Sequence, residues 1–153
     1  MLYLVQHGEA VTKDVDPDRP LSNDGKDAVT RMTRFLSNAG INIDRVLHSG
    51  KTRAKQTAEI LAKSIAESGL TEAISGINPN DPVEEFVNYI ERLNTPTMVV
   101  GHLPFMAKLV SRLLINSDEL ALVDYQPGSV VCLSNDENSK WIINWMVRPE
   151  LTG

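Results

Sequence analysis

Three short polar signatures in this chain carry side chains suited to moving a charged group. They are Gln6-His7-Gly8-Glu9, His48-Ser49-Gly50-Lys51-Thr52-Arg53 and Gly101-His102-Leu103-Pro104, and each directly follows a short apolar run. His7 and His102 occupy equivalent places, each beside a glycine, which lets a ligand come close to the backbone. A neutral imidazole is a competent nucleophile near neutral pH and can carry a phosphoryl group as a covalent intermediate. Charge developing on the transferred oxygens needs fixed donors, and Arg53 and His102 are the candidates. Helix N-termini after Ser49 and near Pro104 would add backbone N–H groups and positive dipole ends. A single histidine at a strand end is more often a structural hydrogen-bonder. Two equivalent placements, with an arginine-bearing helix between them, point to phosphoryl chemistry.

Other motifs fail on their spacing. Gly50-Lys51-Thr52 looks like the end of a P-loop, but the glycine required five residues before Gly50 is Arg45. A serine-hydrolase elbow needs glycines two residues either side of the serine, and Ser49 has Leu47 and Lys51. The three histidines and the one cysteine lack zinc-ligand spacing. No metal and no cofactor is expected. Lys51 and Arg45 read as solvated surface charge, His48 as a strand-end or surface residue, and Cys132 as a small hydrophobe.

The elements that must position these residues follow from apolar periodicity. Leu2 to Val5, Asp44 to His48 and Thr97 to Val100 read as buried strands. Residues 8–21 are polar loop, ending in Asp16-Pro17-Asp18-Arg19-Pro20. A helix is expected from near Ser22 to Gly40 with Ala28, Met32, Phe35 and Leu36 inward. A second runs from about Lys51 to Gly69 on Ala54, Ala58, Leu61 and Ile65. Thr71 to Ile77 is a further strand candidate. Pro82 precedes a third helix on Val83, Phe86, Val87, Ile90 and Leu93, and Pro104 opens a fourth on Met106, Val110, Leu113 and Leu114. Ser129 to Ser134 and Trp141 to Val147 form a hairpin-like pair. Strands alternating with helices imply a mostly parallel sheet covered on both faces, with an antiparallel hairpin at its edge. In such a sheet ligands gather beyond the carboxyl ends of the strands, where the three signatures would converge.

Length, charge and cysteine usage bound the remaining possibilities. A chain of 153 residues fits one domain spanning 1–153. The single Cys132 rules out a disulfide scaffold and favours a reducing, cytoplasmic setting. The formal net charge of −5 argues against nucleic acid as a partner. No apolar stretch approaches the about 18 residues that a spanning helix needs, so no membrane association is expected. The N-terminal run Met1 to Val5 is too short for a signal peptide. Oligomeric state is left open.

Taken in order, four segments resemble the histidine phosphatase superfamily, the phosphoglycerate-mutase-like group: His7-Gly8-Glu9-Ala10; Arg19-Pro20-Leu21-Ser22 with Gly25; Ser49 with Arg53-Ala54-Lys55-Gln56-Thr57-Ala58; and Val100-Gly101-His102-Leu103-Pro104. The shortness of the chain, without a long helical insertion between residues 58 and 97, is most similar to the SixA-type phosphohistidine phosphatases. The resemblance implies a three-layer αβα sandwich and a phosphorylated nucleophile at His7. Arg53 and His102 match phosphate-pocket positions, with Gln6, Gly8, Arg19 and Ser49 as further phosphate or substrate contacts. It implies phosphohistidine on a signalling or phosphocarrier protein as substrate, and no cofactor.

One position departs from the family pattern. The motif is Arg-His-Gly, and here the arginine position is Gln6. A guanidinium offers a charged fork of donors where an amide offers neutral ones. Charged hydrogen bonds are worth about 1.5–3 kcal/mol against about 0.5–1.5 for neutral ones, a deficit of roughly one to two orders of magnitude in rate. Glu9, Asp81 and Glu84 are the candidates for a general acid, although Glu84 and Glu85 also suit a helix N-terminus. Two alternatives stay open: a small-molecule phosphomonoesterase, and a catalytically weakened module that binds phosphate or a phosphoprotein.

Overall fold

A strand that buries both faces demands cover on both sides of its sheet, and a computed structural model of residues 1–153 supplies it. The elements run β1 (Leu2–Gln6), α1 (Asn23–Asn38), β2 (Arg45–His48), α2 (Thr52–Ile65), β3 (Glu72–Ala73), α3 (Glu84–Ile90), β4 (Thr97–Gly101), α4 (Phe105–Ile115), β5 (Val130–Asn135) and β6 (Trp141–Val147). The six strands form one sheet in the order β3-β2-β4-β1-β5-β6. Pairing is parallel from β3 to β1 and antiparallel from β1 through β5 to β6.

Strand alternation divides the core. Tyr3, Val5, Val46, Met98 and Val100 face α1 and α2, packing on Val29, Met32, Leu36, Ala58 and Leu61. Leu2, Leu4, Leu47 and Val99 face α3 and α4, packing on Phe86, Ile90, Phe105 and Leu109. The result is the three-layer αβα arrangement expected from the sequence, with the hairpin at one edge.

The register aligns the strand ends. Gln6 of β1 lies opposite Gly101 of β4, and His48 of β2 lies opposite Val100. His7, Ser49 and His102 therefore leave the sheet at one rim, one from each of three neighbouring strands.

Several local expectations are corrected. The inward stripe of α1 is Gly25, Val29, Met32, Thr33 and Leu36, while Phe35 is exposed. The stripe is turned because Gly25 packs directly on the backbone of Glu9, where a Cβ would run into the Glu9 carbonyl. The second helix stops at Ile65 rather than Gly69: Ala66 takes an extended conformation and pairs with Ile43, and Gly69 makes the following turn at φ +66°. The third helix ends at Ile90, short of Leu93. The strand candidate at 71–77 contracts to Glu72–Ala73. Of the two readings of His48, strand-end or surface, the first holds: it is the last residue of β2 and is buried, its Nδ1 accepting from the Gly50 N–H at 3.0 Å.

The first turn of α1 is thus tied to the loop that carries the first signature. Ser22 caps the helix by accepting the Gly25 N–H at 3.0 Å, and its own N–H donates to the Glu9 carbonyl at 2.9 Å. Gly25→Ala should force that loop and α1 apart, destabilising the protein by about 1–3 kcal/mol and lowering Tm by about 3–10 °C. Asp27→Ala, on the exposed side of the same helix, should leave Tm nearly unchanged. Thermal unfolding of the two variants by circular dichroism checks this.

Candidate active site

The rim is assembled by backbone and side-chain ties between elements distant in sequence. The His7 N–H donates to the Gly101 carbonyl at 3.0 Å, extending the β1–β4 ladder by one residue. The Gly128 N–H donates to the carbonyls of Gln6 and His7 at 3.0 and 3.1 Å. Thr57 of α2 accepts the Gly8 N–H at 2.9 Å and donates to the Arg53 carbonyl at 2.8 Å. Gln56 of the same helix accepts the Leu21 N–H at 2.8 Å. One short segment of α2 therefore presents Arg53 and also holds both the His7 loop and the Arg19 loop. Gln56 and Thr57 lie within the motif that begins at Arg53, but the motif by itself assigns them no role. Their signal was their spacing, since positions three and four beyond Arg53 share its face of a helix.

The two nitrogens of His7 are held differently. Nδ1 lies 2.6 Å from the carbonyl of Gly8, which can only accept, so Nδ1 carries the proton. Nε2 lies 3.3 Å from Nε of Arg53, which can only donate, so Nε2 presents its lone pair. Burial pushes the His7 pKa down to about 4; the Gly8 carbonyl opposes this, and Arg53 and Arg19 add to the depression. His7 is therefore neutral at physiological pH, with the nucleophilic electron pair aimed at a guanidinium.

His102 stands beside it, the ring centroids 5.1 Å apart. It is buried, and burial first, then the charges of His7, Arg53, Lys51 and Arg19, lowers its pKa to about 3. Its Nε2 is 2.6 Å from Oγ of Ser49. Arg53 is half-buried, and burial together with Arg19 lowers its pKa. Arg53, Lys51 and Arg19 thus bring positive charge to this rim of a chain whose formal net charge is −5.

Arg19 joins the set through an unusual backbone. Its φ of +49° is in the left-handed region, which costs a non-glycine residue about 1 kcal/mol or more. Its Nε donates to the Val11 carbonyl at 3.1 Å, which fixes the guanidinium on the loop facing the histidines. Gln6, at 8% exposure, is buried at the end of β1 and its Oε1 has no partner. Gly8 is buried with a Cβ position 2.7 Å from Val29, which requires glycine there.

The three acid candidates are engaged elsewhere. Glu9 accepts from the Ser22 hydroxyl at 2.7 Å. Asp81 accepts the Asn78 N–H at 2.8 Å in a loop turn. Glu84 makes a forked pair with Arg112, at 2.7 to 3.0 Å, on the outer side of α3 and α4. The structure thus brings together His7, Ser49, Arg53 and His102, sets Gln6, Gly8 and Arg19 around them, and keeps Glu84 away. No group of three His, Cys, Asp or Glu side chains is arranged to hold a metal ion, and no helix is long and apolar enough to cross a membrane.

Comparison with known proteins bears on the same residues. Residues 2–78, which include His7, Arg19, Ser49 and Arg53, match the family model described as "Histidine phosphatase superfamily (branch 1)". The phosphohistidine phosphatase SixA of Escherichia coli K12 is 25% identical over 153 residues, covering 97% of this chain and 93% of that protein. A solved structure of the protein histidine phosphatase SixA complexed with tungstate superposes with a TM-score of 0.85 at 23% identity, covering 99% of both chains. The alpha-ribazole phosphatase from Shigella flexneri superposes with a TM-score of 0.78 at 16% identity, covering 97% of this chain and 96% of that one.

The lowered histidine pKa values have a sign that can be checked. Between the ordinary value of 6.5 and about 4, the unfolded chain binds a proton at position 7 that the folded chain does not. Stability then rises with pH through that window, is fully present above 6.5, and is lost as pH falls toward about 4. His102 acts in the same sense. Urea unfolding at pH 7 and pH 5 should show the wild type weaker at pH 5, and His7→Asn should narrow that difference. An imidazole NMR titration should find His7 still neutral at pH 5; a midpoint near 6.5 would refute the assignment.

Proposed function

The chain belongs to the histidine phosphatase superfamily, and from that premise we propose that it is a phosphohistidine phosphatase working through a phospho-His7 intermediate. The observation that carries this reading is the doubly held His7 ring. A proton fixed on Nδ1 by Gly8 and a lone pair on Nε2 beside Arg53 are the state that a nucleophile needs.

In the first step the Nε2 lone pair forms a bond to phosphorus as the P–N bond to the substrate imidazole breaks. The departing nitrogen takes a proton from water. In the second step water attacks the phosphorus of phospho-His7, the new P–N bond breaks, and inorganic phosphate leaves with His7 restored. Arg53, Arg19 and His102 face the phosphoryl oxygens, where fixed positive charge and N–H donors lower the barrier of both steps.

Two features favour a phosphorylated protein over a small ester. Each of the three acid candidates already accepts a hydrogen bond from a neighbouring residue, and the leaving imidazole of a phosphoramidate needs less protonation than an alkoxide. The rim can also be reached from outside: His7, Ser49 and Arg53 are partly exposed there and Lys51 is exposed. A phosphohistidine on the surface of a cytoplasmic signalling or phosphocarrier protein fits such a site. SixA, similar along nearly the whole chain, is named for that activity.

Gln6 favours a second reading, a module that binds phosphate or a phosphoprotein without turning it over, because its buried amide brings no charge to the pocket. Brief incubation with a 32P-phosphohistidine protein, followed by denaturing electrophoresis, separates the two. The enzyme reading expects label on the wild type, none on His7→Ala, and release of inorganic phosphate. A tight complex without release would support the binding module. Sugar phosphates turned over faster than phosphohistidine, with Asp81 or Glu84 essential, would instead indicate a phosphomonoesterase.

The enzyme reading also fixes the direction of a change at position 6. Gln6→Arg should raise kcat/KM on a phosphohistidine protein by roughly 10- to 100-fold, the difference between a charged and a neutral donor pair. Steady-state phosphate release measures it, and no change or a loss would show that Gln6 is not what limits the pocket.

A further inference from the structure

His7 has its tautomer dictated by a carbonyl, but His102 has nothing comparable on its inner side. His102 is 1% exposed, and its Nδ1 is buried without a hydrogen-bond partner. The ring's one hydrogen bond is at Nε2, where Ser49 Oγ lies at 2.6 Å. The position of the ring proton is therefore decided by Ser49.

Ser49 is already committed on one lone pair. Gly50 turns the chain at φ +89°, and the Lys51 N–H then donates to Ser49 Oγ at 3.3 Å. Two arrangements remain. If Ser49 donates to Nε2, the ring proton sits on Nδ1 as a buried N–H with no acceptor, and orphaned buried N–H groups are the rarer class in native structures. If Ser49 accepts from Nε2–H, both of its lone pairs are used and its own proton turns toward the open rim, where Ser49 is half-exposed. The second arrangement strands only a lone pair.

We infer that Ser49 is a positioning residue that holds His102 in the Nε2–H tautomer. The inference rests on the phosphoryl-transfer reading for its purpose, though not for its geometry. It gives the two neighbouring rings opposite duties at their Nε2 atoms. His7 offers a lone pair to phosphorus, and His102 offers an N–H to a phosphoryl oxygen. Arrival of the phosphoryl group transfers the His102 N–H from Ser49 to that oxygen, and the Ser49 hydroxyl proton supplies a second neutral donor. In a pocket where Gln6 replaces a charged residue, such neutral donors carry more of the stabilisation.

The test uses the free protein first. Long-range 1H–15N spectra of the imidazoles at pH 7 should show the Nε2–H pattern for His102 in the wild type. Ser49→Ala should give an averaged pattern, because neither nitrogen of the buried ring then has an acceptor, and Ser49→Thr, which keeps the hydroxyl, should restore the original one. With a phosphohistidine protein as substrate, Ser49→Ala should lower kcat/KM about tenfold, most of it in kcat, and Ser49→Thr should recover most of the loss. An Nδ1–H pattern in the wild type, or an unchanged His102 pattern in Ser49→Ala, overturns the inference. A protein that hydrolyses no phosphohistidine but shows the expected ring spectra would overturn the proposed function and leave the tautomer assignment standing.

Discussion

The hydrogen bond from Nδ1–H of His7 to the carbonyl of Gly8, at 2.6 Å, is the contact on which the rim depends. It joins neighbouring residues, so it holds only if the backbone at Gly8 is itself held. Thr57 holds it from α2, and the close approach of Val29 and Gly25 from α1 leaves no room for a side chain there. Two helices on one face of the sheet thus fix a single carbonyl, and that carbonyl fixes which nitrogen of His7 carries the proton and which keeps its lone pair. The layer of helices serves the chemistry as well as the core.

The electrostatics follow from the same crowding. Two imidazoles with centroids 5.1 Å apart, beside Arg53 and Arg19, cannot all be charged in a partly desolvated place. The arginines cannot lose their protons, so the histidines stay neutral. This is why a chain of formal charge −5 can carry an anion site: the charge of the whole describes the surface, and the field at the rim is set by a few groups within it. A bound phosphoryl group would reverse the local field and favour N–H donation from His102.

Much of this was readable in the chain before its structure. The three strand ends were recognisable from apolar runs followed by polar signatures, and parallel pairing then forced His7, Ser49 and His102 to one rim. Less readable were contacts that depend on where a helix surface meets a loop. Phe35 looked inward because apolar spacing alone cannot see that Gly25 must lie against Glu9, which rotates the stripe. The orders given to Gln56 and Thr57 were invisible because each binds a backbone group, and a backbone group has no sequence signature. The acid candidates looked equivalent in the chain; only geometry showed Ser22, Asn78 and Arg112 already holding them.

Gln6 takes on a different meaning in this setting. The residue is 8% exposed, and its side-chain oxygen is buried without a hydrogen-bond partner. A guanidinium in that place would be a buried charge with no counter-ion in the fold. Leaving one such charge uncompensated costs several kcal/mol, whereas an unpaired amide oxygen costs about 1–3. The glutamine therefore avoids that buried charge, and under the proposed function it would give up part of the attraction for a bound phosphoryl group. A site under that compromise has to draw on donors that are neutral when empty, and the hydroxyl of Ser49 and the uncharged ring of His102 are of that kind.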